Sequence, residues 1–153
     1  MPRPARRAGE GRREVKIVSA CLAGFPCRYD GAAKSDPRVM ALVRSGGALP
    51  VCPEQLGGLP TPREPSEIVG GRVLSRDGRD LTEAFSRGAR ATLDLARAYG
   101  CDEAILKARS PSCGKGLVHD GRFGDGLVEG DGLAAALLAS EGVRVRTEED
   151  PWE

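Results

Sequence analysis

Aromatic side chains make up only 4% of this 153-residue chain, so a core has to be assembled mainly from Val, Leu, Ile and Ala. No apolar run approaches the about 20 residues that a membrane-spanning helix needs, and no signal peptide precedes the first expected strand. A cytosolic protein without a membrane partner is expected. Charge of one sign is missing too: 23 Lys and Arg stand against 22 Asp and Glu, a formal charge of +1. That balance gives no whole-molecule attraction to nucleic acid, and no nucleic-acid partner is expected. Closely paired cysteines are also absent. The five cysteines are odd in number, irregularly spaced and contain no C-x-x-C pair. A disulfide framework and thioredoxin-like chemistry are therefore disfavoured, as is the usual four-ligand structural zinc site.

What is present is ordinary globular material, with 40% hydrophobic and 29% charged residues and no internal repeat. Arg3, Arg6, Arg7, Arg12 and Arg13 mark residues 1–14 as a solvated basic arm. Residues 15–147 form one domain, and 148–153 an acidic tail. A β-branched run, 15–20, reads as a strand ending at Cys21. Pro37 at a first helical position opens a helix to about Ser45, stopped by Gly46 and Gly47. Residues 48–51 read as a strand ending at Cys52, with Pro50 awkward for an interior ladder position. From Pro53 to Asp80 the chain is a Gly- and Pro-rich loop, with a small hairpin between Ile68 and Leu74.

Asp80 and Glu83 have capping-box spacing, and Leu81, Phe85, Ala89, Leu93, Ala96 and Tyr99 recur at helical intervals until Gly100. Residues 103–107 form the next strand. A brief extended excursion from Leu117 to Phe123 turns at Asp120-Gly121. A last helix, 132–141, and a closing strand, 143–146, follow. Alternating strands and helices predict an α/β protein, a three-layer α/β/α arrangement around a small, mostly parallel, Rossmann-like sheet.

In a parallel sheet the C-terminal strand ends share one edge, where ligands bind. Cys21, Cys52 and Cys113 each follow a strand, so three residues far apart in sequence meet there without any close pair. Cys101 precedes its strand and belongs to the opposite edge as a structural residue. Cys27 lies in the first loop, as a neighbour of the site and not a ligand. Spacing alone leaves an iron–sulfur cluster, zinc and buried thiols all open. A cubane with three protein thiolates would leave one iron free for chemistry.

The segments around these cysteines carry a resemblance. Ser19-Ala20-Cys21-Leu22 with Arg28-Tyr29-Asp30-Gly31, Cys52-Pro53-Glu54 with Gly57-Gly58-Leu59, Pro62-Arg63-Glu64-Pro65, and Ser110-Pro111-Ser112-Cys113-Gly114 occur in the order seen in the thiouracil desulfidase family. The chain resembles that family over about residues 15 to 147. The resemblance implies a [4Fe-4S] cluster on Cys21, Cys52 and Cys113. It also implies removal of sulfur from thiolated pyrimidines such as thiouracil or 4-thiouridine monophosphate. His119 departs from it, standing where similar proteins tend to place an aromatic.

Hydrolytic removal of the sulfur would release hydrosulfide, and it assigns roles to residues beside the ligands. Glu54, two positions after Cys52, is the expected general base. Ser110 is the expected proton donor to the substrate ring, with Ser112 beside it in the substrate site. Arg63 and Arg28 are expected at a nucleotide phosphate. His119 is expected to have no catalytic part. Two other readings stay open: a sulfur-transfer protein acting on a nucleotide or tRNA, and a metal-stabilised binding module without activity.

Overall fold

The strand-forming runs assemble into a four-stranded parallel sheet in a computed structural model that describes residues 14–151. The arginines of the basic arm lie outside the described residues. The central strand is β1, Lys16–Ser19. It is flanked by β2, Ala48–Val51, and β5, Glu103–Leu106, with β8, Arg144–Thr147, beyond β5. Every neighbouring pair runs parallel, with Ile17 opposite Leu49 and Ala104. Pro50 sits in register with Val18. It is tolerated because β2 is an edge strand, where a missing N–H can face away from the ladder.

Alternation along the strands builds two apolar layers. Ile17, Ala104 and Leu106 join Leu93, Ala96, Ala135 and Leu138 on one face. That face is covered by two helices, α3, Thr82–Ala98, and α4, Leu133–Ser140. Val18 and Ile105 point the other way and meet Leu22 and Val39. Val39 belongs to α1, Pro37–Arg44, whose start is capped by the Asp36 carboxylate accepting the Arg38 N–H. The α/β sandwich expected from the sequence is thus the observed one.

Two small hairpins stand outside the sheet. The first, β3, Ser66–Val69, with β4, Arg72–Ser75, is the one anticipated inside the long loop. The second pairs β6, Leu117–His119, with β7, Leu127–Glu129. Strand β7 was not expected, nor was α2, Pro53–Leu56, a single helical turn directly after Cys52. It lies so close to α3 that a Cβ on Gly88 would sit 1.8 Å from the Pro53 carbonyl oxygen. Only glycine permits that backbone-to-backbone approach. The acidic tail is not separate from the body of the fold. Glu148 accepts the Ala108 N–H at 2.7 Å and pairs with Lys107 at 2.9 Å.

Candidate metal centre

The three expected cysteines sit at the C-terminal ends of three adjacent strands. Cys21 follows β1 in a short 3-10 turn, Ala20–Ala23. Cys52 ends β2 and starts α2. Cys113 lies in the turn after β5 and is 4% exposed. All three line one cavity of about 440 Å³ with Glu54, Ser110 and Ser112.

The Cys113 turn is tied down through its backbone. Ser110 Oγ accepts the Cys113 N–H at 2.7 Å. The first N–H groups of α4, which a helix leaves unpaired, donate outward: Leu133 to Pro111 and Ala134 to Ser112, each at 2.9 Å. The thiol itself is addressed by two hydroxyls, Ser19 Oγ at 3.2 Å and Ser112 Oγ at 3.6 Å. Ser19 meanwhile accepts the Lys107 N–H at 2.8 Å, so strand β1 aims a donor at the sulfur of another strand. Burial pushes the Cys113 thiol up to about 11, with the Ser19 and Ser112 hydroxyls pulling the other way.

Cys27 is drawn further in than a loop position suggested. Its thiol contacts those of Cys21 and Cys52. The contact with Cys21 is the main reason the Cys27 thiol is pushed up to about 11, with burial adding to it. The Cys52 thiol is raised as well, first by the Cys27 contact and then by burial. Cys101 lies in the α3–α4 layer at the start of β5, away from this edge.

This donor set suits a cluster. The converging groups are buried or half-buried sulfurs, and the Ser19 hydroxyl directed at Cys113 would stabilise a thiolate once its proton is lost. Cysteine thiolates are the ligands that iron–sulfur clusters take.

Around the sulfurs the polar residues form one connected arrangement. Glu54 Oε2 accepts the Ser112 hydroxyl at 2.8 Å, and Oε1 accepts Arg63 Nε at 3.0 Å. The Arg63 and Glu54 side chains are only 5% and 15% exposed, so their charges compensate each other with little help from water. Arg63, anticipated at a substrate phosphate, is occupied differently. Nη1 donates to the Pro60 carbonyl and Thr61 Oγ1, and Nη2 donates to the Cys27 carbonyl. Arg28 lines the cavity, 3.7 Å from Asp30 and 5.6 Å from the Tyr29 ring centroid. His119 also lines it, with Nδ1 buried and lacking a hydrogen-bond partner among the described residues.

Sequence reasoning assigned no role to Ser19, although it opens the Ser19-Ala20-Cys21-Leu22 motif two residues before Cys21. It also missed the far wall of the cavity, where Glu67, Arg76 and Phe123 stand.

The chain is similar to the uncharacterized Bacillus subtilis (strain 168) protein YbbK, 40% identical over 144 residues, which cover 88% of this chain and 95% of YbbK. It is also similar to the solved structure of a [4Fe-4S]-dependent thiouracil desulfidase, TudS. That match has a TM-score of 0.85 and 46% identity, covering 89% of this chain and 91% of that one. With residues 17–150 matching its family description, the chain belongs to the 2-thiouracil desulfurase family.

Proposed function

We propose that this protein is a [4Fe-4S]-dependent desulfidase that hydrolyses thiolated pyrimidines, thiouracil or 4-thiouridine monophosphate, with release of hydrosulfide. The observation that carries this reading is the meeting of Cys21, Cys52 and Cys113 at one cavity beside an ion-paired carboxylate, Glu54. In this reading the three thiolates hold the cluster, which when bound supplies an open iron as Lewis acid for the substrate's exocyclic sulfur.

The chain's own residues supply the rest. Glu54 accepts a proton from the water that adds to the ring carbon. Arg63 and Ser112 fix the orientation of its two oxygens. Because the Ser112 proton is already donated to Glu54, the Ser110 hydroxyl keeps its own proton available. Its contact with Ser112 is long, 3.4 Å, so Ser110 can donate to a ring nitrogen while its oxygen holds the Cys113 N–H. The reaction balances as one water consumed, one C–S bond exchanged for C–O, and one hydrosulfide with its proton released. Arg28 stands at the cavity wall for an anionic substituent.

The test is anaerobic turnover of reconstituted protein with thiouracil in ¹⁸O-labelled water. Equal amounts of hydrosulfide and singly labelled uracil are expected. Sulfur release without label in the product would contradict hydrolysis, and no release from any thiolated pyrimidine would contradict the desulfidase reading.

A further inference from the structure

The acidic residues that follow β8 are built into the sheet edge that carries the sulfurs, and the chemistry above gives them no part. Backbone pairing of β5 ends with Ile105 opposite Val18 on one side and with Leu106 opposite Thr147 on the other. Beyond those points side chains accept the next N–H groups of the chain. Ser19 Oγ takes the Lys107 N–H at 2.8 Å, and Glu148 Oε1 takes the Ala108 N–H at 2.7 Å. Glu148 Oε2 pairs with Lys107 Nζ at 2.9 Å, the two side chains being 15% and 20% exposed. Glu148 is itself anchored, because its carbonyl accepts Arg38 Nη2 of α1 at 2.7 Å. Glu149 holds Arg109 at 2.9 Å, and Arg109 has a φ of 70°, a left-handed conformation that residues other than glycine rarely adopt. Residues 107–109 are thus fastened from two sides, immediately before the turn that carries Cys113.

What this fastening aims is a single proton. A serine hydroxyl has one hydrogen to donate, and Ser112 gives its own to Glu54 at 2.8 Å. Ser19 is 2% exposed. Its oxygen is occupied by the Lys107 N–H, and its hydrogen is directed at the Cys113 sulfur, 3.2 Å away. Of the two hydroxyls beside that sulfur, Ser19 is therefore the donor.

We propose that Ser19 and Glu148 are positioning residues for the metal centre. Ser19 holds a hydrogen bond on the Cys113 thiolate, and Glu148 keeps that bond aimed by fixing residues 107 and 108. This rests on the three-thiolate cluster of the desulfidase reading and goes beyond it. A hydrogen bond draws electron density from a ligating sulfur and raises the reduction potential of the cluster. The centre then yields an electron to dioxygen less readily, and its open iron is the stronger Lewis acid.

The test is the reduction potential of protein reconstituted without oxygen, read by voltammetry, with iron content and urea unfolding measured on the same samples. Ser19→Ala is expected to load iron fully and to fall in potential by about 59 mV, a tenfold change in a one-electron equilibrium. Its visible band should also bleach several-fold faster in air. Glu148→Ala should shift the potential the same way by a smaller amount. Glu148→Gln, which keeps an oxygen for the Ala108 N–H, should stay close to wild type. Because Glu148 acts through Ser19, adding Glu148→Ala to Ser19→Ala should lower the potential no further. An unchanged potential in iron-loaded Ser19→Ala would overturn the inference, as would full additivity in the double variant. Urea sensitivity in Glu148→Ala without any shift in potential would make its role structural and overturn it likewise. Failure of Ser19→Ala alone to take up iron would place Ser19 in assembly of the site and overturn its tuning role. Wild-type protein that takes up no iron tells against the cluster itself.

Discussion

Replacing Glu54 by Gln removes a charge while keeping the shape of the side chain, and two effects follow from the geometry. The first is on stability. Arg63 is 5% exposed and pairs with no other carboxylate among the described residues, so the variant strands a buried cation. Removing one partner of a fully buried pair costs about 3–5 kcal/mol. Here Glu54 is 15% exposed, and Arg63 keeps its bonds to the Pro60 and Cys27 carbonyls. About 2 kcal/mol is therefore expected, too little to unfold a domain of ordinary stability. The second effect is on rate. Loss of a positioned general base lowers kcat by about 10²–10⁴-fold. The assay is anaerobic hydrosulfide release, with iron content measured on the same sample and a urea titration beside it. A variant with full iron content and kcat within threefold of wild type would refute the role of Glu54. The double variant with Arg63→Gln should be less destabilised than the two single losses added together, because each removes the other's partner.

Three further outcomes follow from the fold. Gly88→Ala is expected to lower stability by about 3 kcal/mol or more and to reduce iron loading, since its Cβ collides with the Pro53 carbonyl and displaces the turn after Cys52. Thermal unfolding and iron analysis read both effects. Glu103 is buried at the opposite sheet edge between Lys16, at 3.0 Å, and Arg146, at 3.2 Å. Burial tends to raise its pKa, but Lys16 and the two arginines of β8 outweigh it and hold the carboxyl below its usual value. Its stabilisation is thus complete above the ordinary carboxylate pKa of about 4.3 and is lost as pH falls through the lowered one. Glu103→Gln should be less stable than wild type at pH 7 by about 1–2 kcal/mol, with the gap closing in acid; a gap independent of pH would contradict this. Cys101→Ala should leave the visible spectrum unchanged, because the residue lies in the α3–α4 layer.

The main elements were legible because their signals are local. A β-branched run marked β1 and a short apolar stretch marked β5, six apolar residues recurring at helical spacing marked α3, and Pro37 after Asp36 marked the start of α1. The placing of three cysteines followed from one topological rule about strand ends. What was hidden depended on contacts distant in sequence. The turn α2 is too short to show a period and exists by lying against α3 at Gly88. Arg63 looks like any loop arginine until the fold brings it to Glu54, and its burial there decides that it holds a carboxylate. Ser19 and Cys113 are 94 residues apart, and no pattern links them. Pro50, an awkward strand residue in isolation, needs only the knowledge that β2 is an edge.

The most direct measurement is the iron, sulfide and visible absorption of protein reconstituted without oxygen, with wild type set beside single alanine variants of Cys21, Cys27, Cys52, Cys101 and Cys113. A broad visible band lost with Cys21, Cys52 or Cys113, and kept with Cys27 or Cys101, is the expected result. A band that survives loss of any one of those three, or wild-type protein that takes up zinc and no iron, would contradict the three-thiolate cluster.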